Sequence, residues 1–352
     1  MAALYIYYLD QLTGEIKGGE ECSRYALSRD IDFKDKSAAV VENRPEISND
    51  DIVVLKDGTR TVFVGVCESI SSGPPFTLSL LQQESIFNRK IFTALESLIS
   101  SSGMEAFIVR TINDNFVSSG DALFDKGYIT AAAGSSTVIH TTVSSTVDAD
   151  NGVYNFKTFL GNVLQYYGIG LTFETENGEM DITVKKDTTA PLLVDTRFTD
   201  VQGLSETYSI KVLAKLIVKW KNTSTDTETT RTFYLQSNRT ITENSASATR
   251  VTGTVESMYI EADTEAGMLQ EVQNRFSSNS YDHSMSMNIL KSSRLYRPEE
   301  LYVGRKVKIR SERTGIITET MITRKEESSG SDVQKITMGR LPITLIDKIR
   351  RL

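Results

Sequence analysis

Between Asp51 and Leu81 three β-forming runs are separated by two turn-forming segments. Asp51-Ile-Val-Val-Leu55 reads as a strand, and Lys56 to Thr59, with Asp57-Gly58 at its centre, reads as a tight turn. Val62, Val64 and Val66 then recur with a period of two, which predicts one face of a second strand. Ser71 to Pro75 is a loop, and Phe76 to Leu81 is a third strand. Upstream, Leu4 to Leu9 is a further strand and Thr13-Gly14 a turn. Short strands at this spacing fold as a small barrel or sandwich.

The wider composition agrees. Val, Ile, Thr and Tyr recur in short runs and only 6 of 352 residues are Pro. Such side chains fit a pleated, half-buried surface. The sequence therefore predicts a mainly β protein with several helices, an α+β class. A length of 352 residues suits about two or three domains. No apolar run reaches the roughly 18 residues of a membrane-spanning helix. Met1 to Ile6 lacks the basic region and long apolar stretch of a signal peptide. Lys and Arg number 39 against 46 Asp and Glu, a net charge of −7, which disfavours a sequence-independent grip on DNA phosphates.

Helical periodicity is confined to a few segments. Phe107, Ile108, Ile112 and Phe116 share a face between about Gly103 and Val117. Phe87, Ile91, Leu95 and Leu98 suit a helix within 84–100. The clearest stripe is Phe156, Phe159, Leu160, Val163, Leu164 and Tyr167, with Gly168 at the stop position. Asn177-Gly178 between alternating segments predicts a hairpin. Farther on, Ile210 to Trp220 pairs with Arg231 to Leu235 across a loop at 221–230. A helix follows from about Asp263 to Asn279, capped by Asp263 or Thr264. Strands return at Ser284 to Leu290, Lys306 to Arg310, Ile316 to Thr323 and Gln334 to Met338. The series at 51–81 and 306–338 share order and spacing, which predicts a duplicated β module whose copies superpose as separate units.

Catalytic chemistry finds little material. His140 and His283 lack a Cys or His partner at zinc spacing. Cys22 and Cys67 are too few for a disulfide framework and read as buried thiols. Asp148 to Gly152 matches the start of a calcium loop, but its twelfth position is Phe159 rather than an acid. Gly18-Gly19 has no phosphate-loop context. Glu20-Glu21, Glu299-Glu300 and Glu326-Glu327 read as loop or surface pairs, not as acids flanking a cleft. The sequons at Asn222 and Asn238 are chance matches without a signal peptide. Lys348, Arg350 and Arg351 form a basic end. No catalytic, cofactor-binding or metal-ligating residue is assigned, and a structural or interaction protein is the expectation.

One series of weak motifs points further. It runs through Leu216 to Asn222, Thr232 to Leu235, Ala266 to Leu269, Tyr281 to Met287, Leu301 to Ile309, Thr320 to Thr323 and Ile336 to Leu345. Earlier, Asp57-Gly58, Phe63-Val-Gly65, the 156–167 stripe and its Asn-Gly hairpin fall in step. In order and spacing the chain resembles the tail hub proteins of tailed bacteriophages and prophages. These are the baseplate hubs of contractile tails and the N-terminal part of siphophage tail-associated proteins. The resemblance implies two tube-like β-barrels and an α/β body. The first barrel would be 1–100 and the second, discontinuous, 201–239 and 280–343. The body would be 101–200 and 240–279, and 344–352 a C-terminal tail.

The resemblance also implies a homotrimer at the virion tail tip, made in the bacterial host cytoplasm. Its partners would be the tail tube or distal tail protein above and a tip, spike or receptor-binding protein below. DNA would pass without specific binding; since Lys and Arg contacts to phosphate would retain it, the axis is expected to be lined mainly by Asp, Glu, Ser and Thr, with Lys348, Arg350 and Arg351 facing away. Many siphophage members continue into a peptidase, muralytic or receptor-binding segment. Here such activities belong either to other proteins or to a continuation of this one. The competing classes are a tail-associated peptidoglycan hydrolase and a host cell-wall-binding tip protein.

Overall fold

The computed structural model describes residues 4–92, 103–121, 123–138, 153–176, 178–208, 213–237, 240–279, 281–310 and 317–342. The first six strands are β1 (Leu4–Leu9), β2 (Ile16–Asp30), β3 (Lys36–Val41), β4 (Ile52–Asp57), β5 (Arg60–Ile70) and β6 (Phe76–Gln82). They pair antiparallel in the order β1-β4-β5-β6-β3-β2, and β2 pairs back onto β1, so the six close into a ring. The predicted tight turn joins β4 to β5 through Gly58 at φ +61.

β4 buries both faces. Val53 and Leu55 fill the ring with Ile6, Phe63, Leu78 and Leu80. Ile52 and Val54 point outward against helices. Two-sided burial replaces alternation with a continuous apolar run. The period of two in β5 does not hold as predicted. Its ladder shifts so that Phe63 faces Leu55 while Thr61 faces Lys56, leaving Val62 as an extra residue. This bulge puts Val62 in the ring core beside Phe63, whereas Val64 packs outside.

The outward cluster belongs to an α/β body. β7 (Lys90–Phe92) pairs with β9 (Val153–Asn155). α1 (Gly103–Ile112) continues into a π-helical turn, Asn113–Val117, over the span the sequence predicts. β8 (Ile129–Ala133) pairs in parallel with β11 (Glu179–Lys186), and β11 forms the expected hairpin with β10 (Ile169–Glu176). Gly178 takes φ +88 there, and Asn177 lies outside the described residues. α2 (Phe156–Tyr167) starts where the Asn155 side chain accepts the Thr158 amide at 3.1 Å, and stops at Gly168, φ +69. Phe156, Phe159, Leu160 and Val163 are fully buried.

A helix across 84–92 does not form. Gln83–Phe87 is a single 3-10 turn, after which β7 begins, and 93–100 lie outside the described residues. Tertiary packing overrides the local pattern. Phe87 is wedged edge-on between Phe116 and Phe156, at 5.0 and 6.0 Å between ring centroids, and Ile91 pairs with Tyr154.

The remaining strands are β12 (Leu192–Asp195), β13 (Val201–Tyr208), β14 (Leu213–Asn222), β15 (Thr227–Leu235), β16 (Ile241–Thr242), β17 (Thr254–Ala262), β18 (Tyr281–Leu290), β19 (Lys306–Arg310), β20 (Ile317–Ser328) and β21 (Val333–Pro342). Six of them run β12-β19-β20-β21-β18-β13, with no ladder between β12 and β13 among the described residues. β2 pairs with β20, Ala26 opposite Ser328 through Asp30 opposite Arg324. All twelve strands therefore belong to one hydrogen-bonded sheet. This departs from the expected pair of separate modules: β4-β5-β6 sit in a closed ring, while β19-β20-β21 carry a parallel edge strand, β12.

β14 and β15 also depart from the expected second barrel. They join β16 and β17 in a four-stranded sheet, and α3 (Glu265–Asn279) covers it through Met268, Val272 and Phe276. Of 201–239 only β13 pairs with β18. The hairpin loop shrinks to four residues because the Asn222 carboxamide oxygen accepts the Ser224 and Thr225 amides at 2.9 and 3.1 Å. Thr264 caps α3, accepting the Gly267 amide at 3.2 Å. The Tyr167 hydroxyl donates to buried Glu271, tying α2 to α3. Among the described residues no helix is long and apolar enough to cross a membrane.

Candidate functional site

The ring meets the second six-stranded unit at the β2–β20 ladder, where buried Lys325 and half-buried Arg29 come together. The register sets Arg29 opposite Lys325 and Leu27 opposite Glu327. Two cations directly opposed would repel, and the structure holds them apart. Arg29 donates to the Val62 carbonyl at 2.7 Å with its guanidinium 5.2 Å from the Phe63 ring centroid. Lys325 donates to the Pro298 carbonyl at 2.8 Å and lies 3.9 Å from Glu327. Burial pushes the Lys325 ammonium down to about 8, with Glu327 opposing. At the outer edge, Arg324 pairs with Asp35 at 2.6 Å, and Ser28 donates to the same carboxylate.

Beside the ladder lies a cavity of about 570 Å³ between the ring, α2, the β10–β11 hairpin and the loop before β19. Its floor is apolar, from Leu160, Leu164 and Phe173, and Glu84 and Arg29 reach it from the ring side. Burial pushes the Glu84 carboxyl up to about 7, with Arg29 working the other way. At the far wall the Tyr302 hydroxyl donates to Asp187 at 2.9 Å. The polar groups at this junction hold one element against another. Among the described residues no cluster of three or more His, Cys, Asp or Glu could hold a metal ion.

The residues weighed from the sequence are scattered. Cys22 and Cys67 are both buried in the ring core as free thiols, and burial pushes the Cys67 thiol up to about 11. Glu20-Glu21 and Glu326-Glu327 lie in strands, not loops. Glu20 accepts the Tyr8 hydroxyl at 2.8 Å, and Glu326 pairs with Lys335 at 3.1 Å. Glu299 and Glu300 are exposed in a 3-10 turn. Gly18 and Gly19 lie on β2, where a Cβ at Gly19 would meet the Tyr7 ring at 2.8 Å. Asn222 shapes a turn, and His283 lies on β18 opposite Leu341. His140, Asp148 to Gly152, Asn238 and 343–352 lie outside the described residues.

Sequence reading missed the junction. Arg29 and Lys325 are separated by nearly the whole chain, and only the run of charge at 324–327 within a strand-forming stretch signalled it.

Comparison with solved structures decides the fold. A tail protein from Neisseria meningitidis superposes with a TM-score of 0.57 at 10% identity, over 96% of each chain. The chain has the fold of phage tail proteins. A prophage tail protein from Shewanella oneidensis gives 0.53 at 11% identity, over 97% of this chain and 98% of that one. A prophage tail protein from Listeria monocytogenes gives 0.52 at 11%, over 99% and 98%. No protein-family model and no curated protein sequence matches the chain. The resemblance drawn from weak sequence motifs is thus borne out at the level of fold, over nearly the full length of these tail proteins.

Proposed function

We propose that the chain is the hub of a phage tail tip or baseplate. Three copies form a ring that caps the sixfold tail tube, adapts it to threefold tip proteins and lets DNA pass. The observation that carries this reading is the full-length likeness in fold to phage tail proteins, in a chain that holds two six-stranded β units. Each unit acts as one tube-like module, so three chains present six. The tail tube or distal tail protein binds above, and a tip, spike or receptor-binding protein binds below.

DNA crosses without being held. Three chains at −7 each carry a strongly acidic total, and an acidic lumen avoids the phosphate contacts that retain a duplex. Native mass spectrometry of the protein and crosslinking of virions should both give threes. A dimer or tetramer as the only closed species refutes the hub. Tight, salt-sensitive retention of duplex DNA by the purified protein at low ionic strength refutes the passive conduit.

A further inference from the structure

The side of the β14–β17 sheet turned away from α3 is open to solvent. The register places Lys215, Ile217 and Lys219 of β14 beside Val255, Ser257 and Tyr259 of β17, with Tyr234 of β15 opposite Lys215. Val255 is 58% exposed. Lys215 and Arg250 flank the Tyr234 ring, 5.9 and 4.8 Å from its centroid. Lys219 and Lys221 carry acids of their own, Glu228 at 2.8 Å and Asp226 at 3.1 Å. Lys215 and Arg250 have no ion-pair partner among the described residues. Uncompensated basic charge therefore collects at the end of this face where Val255 is bare.

The β10–β11 hairpin carries the opposite pattern. Glu174 stands opposite Asp181, and Glu176 opposite Glu179. All four are exposed, and none is ion-paired among the described residues. Like charges directly opposite destabilise a ladder. Beyond the acids the same face is low, with Thr130, Thr172 and Thr183, and exposed Lys185 opposite Gly170 marks its far end.

We propose that these two faces are the halves of one head-to-tail contact between copies of this chain: the Glu174–Asp181 face of one copy docks on the Lys215, Tyr234 and Val255 face of the next. Charge selects this pairing. Each face repels its own kind, so a two-fold dimer through either is disfavoured, while head-to-tail contacts generate rings. The inference deepens the trimer of the proposed function and rests on it.

The test uses the full chain at low salt, with mass read by sedimentation equilibrium. The reversals E174K/E176K and K215E/R250E should each weaken association about tenfold or more, and the quadruple variant should restore it to within about threefold. Reversals without effect, or no restoration in the quadruple variant, overturn the contact. A second arm places cysteines on the two faces, E176C/S257C. Oxidation should give a covalent trimer, with Cys22 and Cys67 buried and out of reach. Should a reversal fail to fold, this pair carries the test. Trimers that form without crosslinking remove this contact and keep the hub. A monomer at every concentration removes the contact, and the virion crosslinks then decide the hub separately.

Discussion

Glu84→Gln tests whether the junction keeps an acid at an energetic cost. Glu84 follows β6 and is 9% exposed at the cavity wall, near Arg29 and Asp30. Burial raises its carboxyl from 4.5 to about 7, with Arg29 only partly offsetting the effect. A raised acid means that the folded chain holds a proton the unfolded chain has released. Between about 4.5 and 7 the folded state binds more protons, so this group's contribution falls as pH rises. At about 1.4 kcal/mol per unit, the ionised side chain costs about 3 kcal/mol above pH 7. Glutamine has nearly the same shape and no charge. Its stability advantage over wild type should be flat below pH 4.5, grow through the interval, and level off near 3 kcal/mol above pH 7. Urea midpoints of both proteins, followed by circular dichroism from pH 4 to 8.5, measure that difference. Parallel profiles would show that Glu84 is solvated or neutralised, and would refute the argument.

Three further substitutions probe packing and backbone. Phe87→Ala removes a fully buried ring that meets Phe116 and Phe156; it should cost about 3–5 kcal/mol in denaturant unfolding, and a loss under 1 would show that the body collapses around the gap. Gly14→Ala meets both a φ of +72 and the Gly178 carbonyl at 2.3 Å. It should lower the melting temperature more than Gly120→Ala, which has φ +89 and open space; equal losses would place the cost in φ alone.

Local chemistry made some elements legible. β1 falls on the continuous apolar and aromatic run Leu4–Leu9, and β19 on the alternation Lys306–Arg310. α2 is bracketed by Asn155 and Gly168, so stripe and caps agree. Where partners lie far along the chain, the sequence is mute. β2 opens Ile16-Lys-Gly-Gly-Glu-Glu21, largely solvated, and only its partners β1, β3 and β20 hold it extended. β17 went unread because Ile260 and Ala262 are covered by α3, whose position no local pattern reveals. The junction has the same cause: Arg29 and Lys325 carry no mutual signal until β2 and β20 are side by side.

The β2–β20 ladder has a consequence during synthesis. The Tyr25 amide bonds to Ser329, 304 residues later. The ring needs only residues 4–82 and can close early. At about 5–20 residues per second, the free edge of β2 then waits roughly 12–50 s for its partner. An unpaired edge on a ribosome-bound chain invites pairing with a neighbouring nascent chain. Arg29 and Asp30 sit on the waiting β2 edge during that interval, and Arg324 and Lys325 do the same for β20 once it emerges. The charge along this ladder thus acts before the fold is complete as well as within it.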